Sequence, residues 1–183
     1  MAEEIEPVEL FVAGENVLPE LLAEASTLGH APRMVGIFRR DDLPHGTRDV
    51  VLALWRVTDP GNVGTLMRTA DAFGAAVSLS RECADPLGPR AARASAGALF
   101  RVPLVEWDST PGNRVALVAH GGIPLADLAL ERPLTFLLGS EREGLPESLV
   151  MDCHKATIPL PGEAESLNVA AAGAIALYEL ARR

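Results

Sequence analysis

Cysteine is scarce in this chain: Cys83 and Cys153 are the only two among 183 residues. They lie far apart and in no paired motif, which argues against a disulfide framework or a thiolate metal site. Both read as small, partly buried apolar residues. Long hydrophobic runs are missing as well. Each apolar stretch is broken by Gly, Pro or a charge well short of the ~20 residues a bilayer crossing requires, so no membrane part is expected. The opening MAEEIEPVEL is acidic, unlike a signal or transit peptide. A cytoplasmic protein is the expectation.

Several catalytic signatures are absent too. No G-x-G-x-x-G opens a helix, and there is neither a G-x-x-x-x-G-K-[ST] nor an H-E-x-x-H. RASAG (93–97) carries Arg93 where a nucleophile elbow needs glycine. The histidines, His30, His45, His120 and His154, are scattered and read as surface or loop residues. No metal site is expected, and no internal repeat or low-complexity tract is present. Positive charge is also in short supply: the formal net charge is −9. Residues 1–48 hold 9 acidic and 4 basic side chains, against 16 and 12 in residues 49–183. A nucleic-acid binder usually shows a basic surface. The total counts against that class, although local patches matter more than totals.

What is present describes a folded globule. The length fits one domain with a small appendage and allows burial of roughly 70% of the unfolded surface. The 48% hydrophobic content suits a packed core. Glu15 to Leu28 reads as an amphipathic helix and MVGIF (34–38) as a strand. RRDDLPHGTRD (39–49) is a polar linker and the best boundary, giving a short N-terminal α/β extension, 1–48, and a domain, 49–183. In that domain VVLALWRV (50–57) is a buried strand, DPGN (59–62) a turn, and 63–74 a helix closed by Gly74. Further strands are expected at 75–80, 99–107, 114–120, 134–139 and 155–160. Short helices are expected at 89–98 and 146–152, and a long one from Leu167 to Arg182. Alternating strands and helices predict an α/β domain with a mostly parallel sheet. Ligands bind such sheets at the carboxyl ends of the strands.

Three strand-exit loops there carry glycines and isolated polar side chains: DPGNVGTLMR, LLGSEREGLP and IPLPGEAESLN. Taken singly, each has a plain explanation. Asn62, Ser166 and Asn168 can cap helices, Arg68 can be a solvated helix residue, and Glu141 and Glu143 can be exposed loop charges. A carboxylate between glycines can also lock a loop by accepting backbone N–H bonds. Glu141 is the better candidate for that role and Glu143 reads as structural.

In order and spacing these loops resemble the three signature motifs of the SpoU (TrmH-like) RNA ribose 2′-O-methyltransferases of the SPOUT superfamily. The likeness covers about residues 50–183 and includes PLGPRAARASAGALFRVPL between the first two motifs. It implies a SPOUT-type trefoil-knotted domain, a homodimer that builds the active site from two subunits, S-adenosyl-L-methionine as methyl donor, and tRNA or rRNA as substrate. It implies catalytic roles for Asn62, Arg68, Glu141, Ser166 and Asn168, and cofactor contacts, largely through backbone, at Gly139, Ile158 and Leu167. Arg68 is the implied catalytic arginine. Its pKa above ~12 keeps it protonated, so it is expected to bind phosphate and stabilise a developing alkoxide, not to act as a base. Arg90, Arg93 and Arg101 are, with Arg68, the candidate RNA-binding cations.

Many family members have a separate N-terminal RNA-binding domain of about a hundred residues. The 48 residues here are too few for one, so RNA selection is expected to rest on the knotted domain or a partner. A non-catalytic RNA- or cofactor-binding module is the alternative, disfavoured by the joint presence of the five catalytic candidates. A small-molecule methyltransferase suits the acidic charge but has no motif behind it. The C-terminal helix is apolar on nearly every face (Val169, Ile175, Leu177, Tyr178, Leu180), and burial on all sides is expected.

Overall fold

The structure is a computed structural model that describes residues 5–26 and 30–183. The chain divides between Leu43 and Pro44 into two units. In the first, strand β1 (Glu9–Val12) pairs antiparallel with β2 (Met34–Ile37), and helix α1 (Pro19–Ala25) lies between them in sequence. Helix α1 is shorter than expected. Asn16 turns its side chain onto the end of β1, accepting from the Val12 N–H at 2.7 Å and donating to Leu10 O at 2.8 Å. The chain therefore stays in a turn until Pro19, a residue suited to the first helical position. Residues 27 and 28 of the expected helix lie outside the described residues.

The second unit contains β3 (Val50–Leu54), α2 (Pro60–Phe73), β4 (Ala76–Leu79), α3 (Pro89–Ala94), β5 (Leu104–Val105), β6 (Asn113–Leu117), β7 (Ile123–Pro124), β8 (Leu134–Leu138), α4 (Glu147–Val150), β9 (His154–Thr157) and α5 (Val169–Ala181). The seven strands form one parallel sheet in the order β5-β4-β3-β8-β6-β9-β7. Strands β8 and β9 each enter between strands laid down earlier. All five residues of β3 and of β8 are buried, as continuous apolar runs in the middle of a parallel sheet must be.

Alternate residues of the central strands, Leu52, Leu54, Leu134, Phe136 and Leu138, enter the main core with Leu66 and Met67 of α2 and Leu177 of α5. Glycines let the helices approach. A Cβ on Gly64 would stand 2.3 Å from Ala91 O of α3, and one on Gly173 2.4 Å from Leu66 Cδ2. Both cysteines are free and partly buried, with thiols donating to Leu54 O (3.2 Å) and Leu149 O (3.0 Å). Burial, against an opposing pull from Arg114, raises the Cys153 pKa.

Four local expectations change. Helix α2 begins at Pro60, not Val63, because Asp59 caps it: Asp59 Oδ1 accepts the Asn62 N–H at 2.9 Å, with proline at the first helical position. The expected strand 99–107 shrinks to Leu104–Val105. Pro103 has no N–H for a ladder, and residues 98–100 and 107–109 coil into single 3₁₀ turns. Strand β7 was not expected; its Pro124 is tolerated because β7 is the sheet edge. Helix α5 is not covered all round. Val169, Ala170, Gly173, Ala176, Leu177 and Leu180 are buried, whereas Ile175 is 38% and Tyr178 61% exposed. Gly74, as expected, closes α2 with φ +66°. Among the described residues no helix is long and apolar enough to cross a membrane.

Candidate functional site

Strands β8, β6 and β9 are neighbours in the sheet, and their carboxyl ends open into one cleft of about 450 Å³. Its apolar wall includes Leu117, Leu138, Ile158, Leu160 and Leu167. Its polar rim carries His120, Glu141, Arg142, Glu143, Glu165 and Ser166. All three residues expected to touch a cofactor, Gly139, Ile158 and Leu167, line this cleft.

Gly139 opens a tight turn. A Cβ there would lie 2.2 Å from Gly144 C and 2.5 Å from Leu145 N, so only glycine lets the loop after β8 close on itself. The Gly144 N–H donates to Ser140 O at 3.0 Å, and Ser140 Oγ accepts the Glu143 N–H at 3.2 Å. The loop is thus a small closed turn that projects Glu141 and Glu143 outward.

Glu141 reaches the first motif. Asn62 Nδ2 donates to Glu141 Oε1 at 2.6 Å, and Asn168 Nδ2 donates to Asn62 Oδ1 at 3.0 Å. One hydrogen-bonded chain, Asn168–Asn62–Glu141, therefore joins the three exit loops. The expectation that Glu141 locks its loop through backbone N–H groups changes accordingly: its partner is the Asn62 side-chain amide. Asn62 is free for this because Asp59 performs the capping. Asn168 does two jobs with one amide. Its Oδ1 caps α5, accepting from Ala170 N (2.8 Å) and Ala171 N (3.3 Å), while its Nδ2 faces Asn62. Ser166 does not cap; it lines the cleft and makes no side-chain hydrogen bond among the described residues.

Residues 49–178 match the profile of the SpoU rRNA Methylase family. The chain belongs to that family. As a SpoU methylase family member it is 34% identical over 158 residues to an uncharacterised tRNA/rRNA methyltransferase of Synechocystis sp., covering 80% of this chain and 57% of the relative. It is 32% identical over 188 residues to the 23S rRNA (uridine(2479)-2′-O)-methyltransferase of Streptomyces viridochromogenes, covering 90% and 66%. The chain spans roughly half to two thirds of the length of such curated relatives. Among solved structures, the AdoMet-bound rRNA methyltransferase of Sinorhizobium meliloti superposes with a TM-score of 0.81 at 32% identity, over 91% of this chain and 70% of that one.

Other expected site residues of this SpoU member are not gathered at the cleft. Arg68 lies six residues beyond Asn62, about 9 Å along the helix axis at 1.5 Å per residue, and does not line the cleft. Its side chain is exposed and has no partner among the described residues. Arg90 and Arg93 on α3 are likewise exposed and unpaired. Arg101 is engaged: Nε and Nη2 donate to Asp71 Oδ2 at 3.0 and 2.8 Å, and this hydrogen bond and charge raise its pKa.

Among the described residues the first-motif loop lines no part of the cleft, and its Asn62 touches the rim through Glu141. The third wall is instead the exit of β6, Leu117 to His120, which was not expected from sequence. That segment has no unusual composition. Its one available signal is that the apolar run Val115 to Ala119 ends on His120.

Proposed function

We propose that this chain is the catalytic domain of an S-adenosyl-L-methionine-dependent RNA methyltransferase that modifies a ribose 2′-hydroxyl of rRNA or tRNA. The observation that carries this reading is the Asn168–Asn62–Glu141 hydrogen-bond chain at the rim of the cleft. It couples all three family motifs at one point. The relatives' names, including a 2′-O-methyltransferase, support the reaction type. Residues 49–183 would carry the chemistry, with 1–48 as an extension, and an RNA substrate of this kind favours a cytoplasmic location.

The cleft suits the methyl donor. Its volume is in the range of small-molecule sites, and its apolar walls match an adenine and a thioether chain. Gly139, Ile158 and Leu167 would hold the donor, and the rim carboxylates favour a cation. When bound, that group supplies a methyl on a good leaving group. The protein has to position the acceptor oxygen in line and manage its proton. Asn168 already takes the Ala170 and Ala171 N–H groups at the start of α5, so it is the exposed Ser166 hydroxyl there that would meet the substrate. Arg68, permanently charged, would neutralise the phosphate beside the target ribose and the forming alkoxide, and the proton would leave to water or phosphate. Arg90 and Arg93 are free to extend the phosphate contact, and Arg101 less so, being held by Asp71.

Arg68 is exposed and outside its own chain's cleft, which supports a site completed by a second copy. The insertion of β8 and β9 between earlier strands likewise supports the knotted topology. Ala171, Ile175 and Tyr178 recur at helical spacing and leave an uncovered apolar stripe on α5 suited to the second copy. Sedimentation of the wild type should give a dimer, and Tyr178→Asp should shift it to monomer. A wild-type monomer at micromolar concentration rules the shared site out.

The reading is tested by incubating the purified chain with radiolabelled donor and total cellular RNA. Label is expected in nuclease-resistant dinucleotides, the mark of a 2′-O-methylated ribose. Donor uptake with no transfer to RNA means a non-catalytic module instead.

A further inference from the structure

Arg56 has backbone φ +53°, in the left-handed region that non-glycine residues seldom occupy. It directly follows the Trp55 N–H, which still pairs with Leu138 O at 2.8 Å, so the twist sits where β3 leaves the sheet. Outliers of this kind persist where the surroundings hold them. Here the holding contacts come from two other strand exits. The Arg56 N–H donates to Ser80 Oγ at 2.9 Å, just beyond β4. Its guanidinium pairs with Glu82 through Nε, and Nη1 donates to Glu143 Oε2 at 3.1 Å, in the loop after β8. One side chain thus ties together the exits of β3, β4 and β8.

Glu141 and Glu143 are two residues apart in the tight turn that begins at Gly139. Glu141 is fastened to Asn62 on α2 and Glu143 to Arg56 at the exit of β3. The turn is therefore held at two points by two different elements. From this geometry we infer that Arg56 is a positioning residue for the cleft. It holds the Gly139–Leu145 turn in its closed shape, and with it the wall against which the donor packs. A glycine at this position would adopt the same φ with no strain but could not reach Glu143. The arginine is explained by the clamp and not by the turn.

The pairs are exposed, so their direct worth to global stability is small. The effect is expected in local order and in donor affinity, not in the melting temperature. Arg56→Gly removes the clamp while relaxing the backbone. It should melt at the wild-type temperature or slightly above. Amide exchange across 139–145, measured on the ligand-free full chain, should rise about fivefold or more, since a local opening replaces a held turn. The dissociation constant for S-adenosylhomocysteine, by calorimetry, should rise about three- to tenfold. Glu143→Gln leaves the Arg56 backbone untouched and should reproduce the faster exchange, which keeps the test open if Arg56→Gly folds poorly. Unchanged exchange in both variants overturns the inference. The proposal rests on the cleft being a donor site only for its affinity arm. If the wild type does not bind the ligand, the methyltransferase reading fails, and the exchange arm still decides the clamp.

Discussion

Arg68→Ala should lower methyl transfer by about 10²- to 10³-fold, the usual loss when one preorganised electrostatic contact to a developing charge is removed. S-adenosylhomocysteine affinity should stay within about twofold. The separation follows from geometry. Arg68 is exposed, has no hydrogen-bond or ion-pair partner among the described residues and lies outside the cleft of its own chain, so its removal takes nothing from that cleft and breaks no polar contact there. Arg68→Lys keeps the charge but not the planar fork. If paired contacts to phosphate oxygens are what the site needs, lysine should recover little. Single-turnover transfer to RNA alongside calorimetric titration measures both quantities. A variant that loses donor binding as severely as transfer contradicts the assignment, because Arg68 would then be a cofactor or folding residue.

Gly139→Ala is the second large effect. Gly139 is not among the glycines with positive φ, so alanine meets no conformational barrier there. The obstacle is space. The new methyl would lie 2.2 Å from Gly144 C, 2.5 Å from Leu145 N and 2.6 Å from Gly144 O, all backbone atoms of the same turn. Backbone cannot step aside by changing rotamer. The turn must open, and overpacking of this kind costs about 1–3 kcal/mol. Opening moves Glu141 away from Asn62 and shifts the cleft wall together. S-adenosylhomocysteine affinity should fall at least about tenfold, which is about 1.4 kcal/mol, with a loss of a few degrees in melting temperature. Calorimetry and a thermal melt check this. Wild-type affinity in Gly139→Ala would mean that the donor does not use this wall.

Asn62 shows where reading one residue at a time stopped. Taken alone it was a cap or a site residue with nothing to choose between them, and only the family resemblance made it a site residue. Asp59, three positions earlier, takes the cap and so releases the Asn62 amide for Glu141 and Asn168. Asn168 resolved the other way, doing both jobs because an amide has an acceptor and a donor at opposite corners. Arg56 was invisible in the chain. It lies in WRV, between a strand and a turn, and its meaning comes from Glu82 and Glu143, distant in sequence. His120 was set aside as a loop residue; it reaches the cleft rim only because β6 lies beside β8 and β9 in the sheet.

Resemblance of the chain's motifs to the family's, and not its periodicity, pointed to Gly139, Ile158 and Leu167; the amino-acid order by itself determined the alternating architecture and the glycine that closes α2. Those depend on local periodicity and short-range chemistry, which act within a few residues. Tertiary structure decided which strand exits share the cleft, which polar groups partner one another, and which face of α5 stays uncovered. Those depend on strand order, and a sheet that inserts its late strands between earlier ones brings together residues that no local pattern relates.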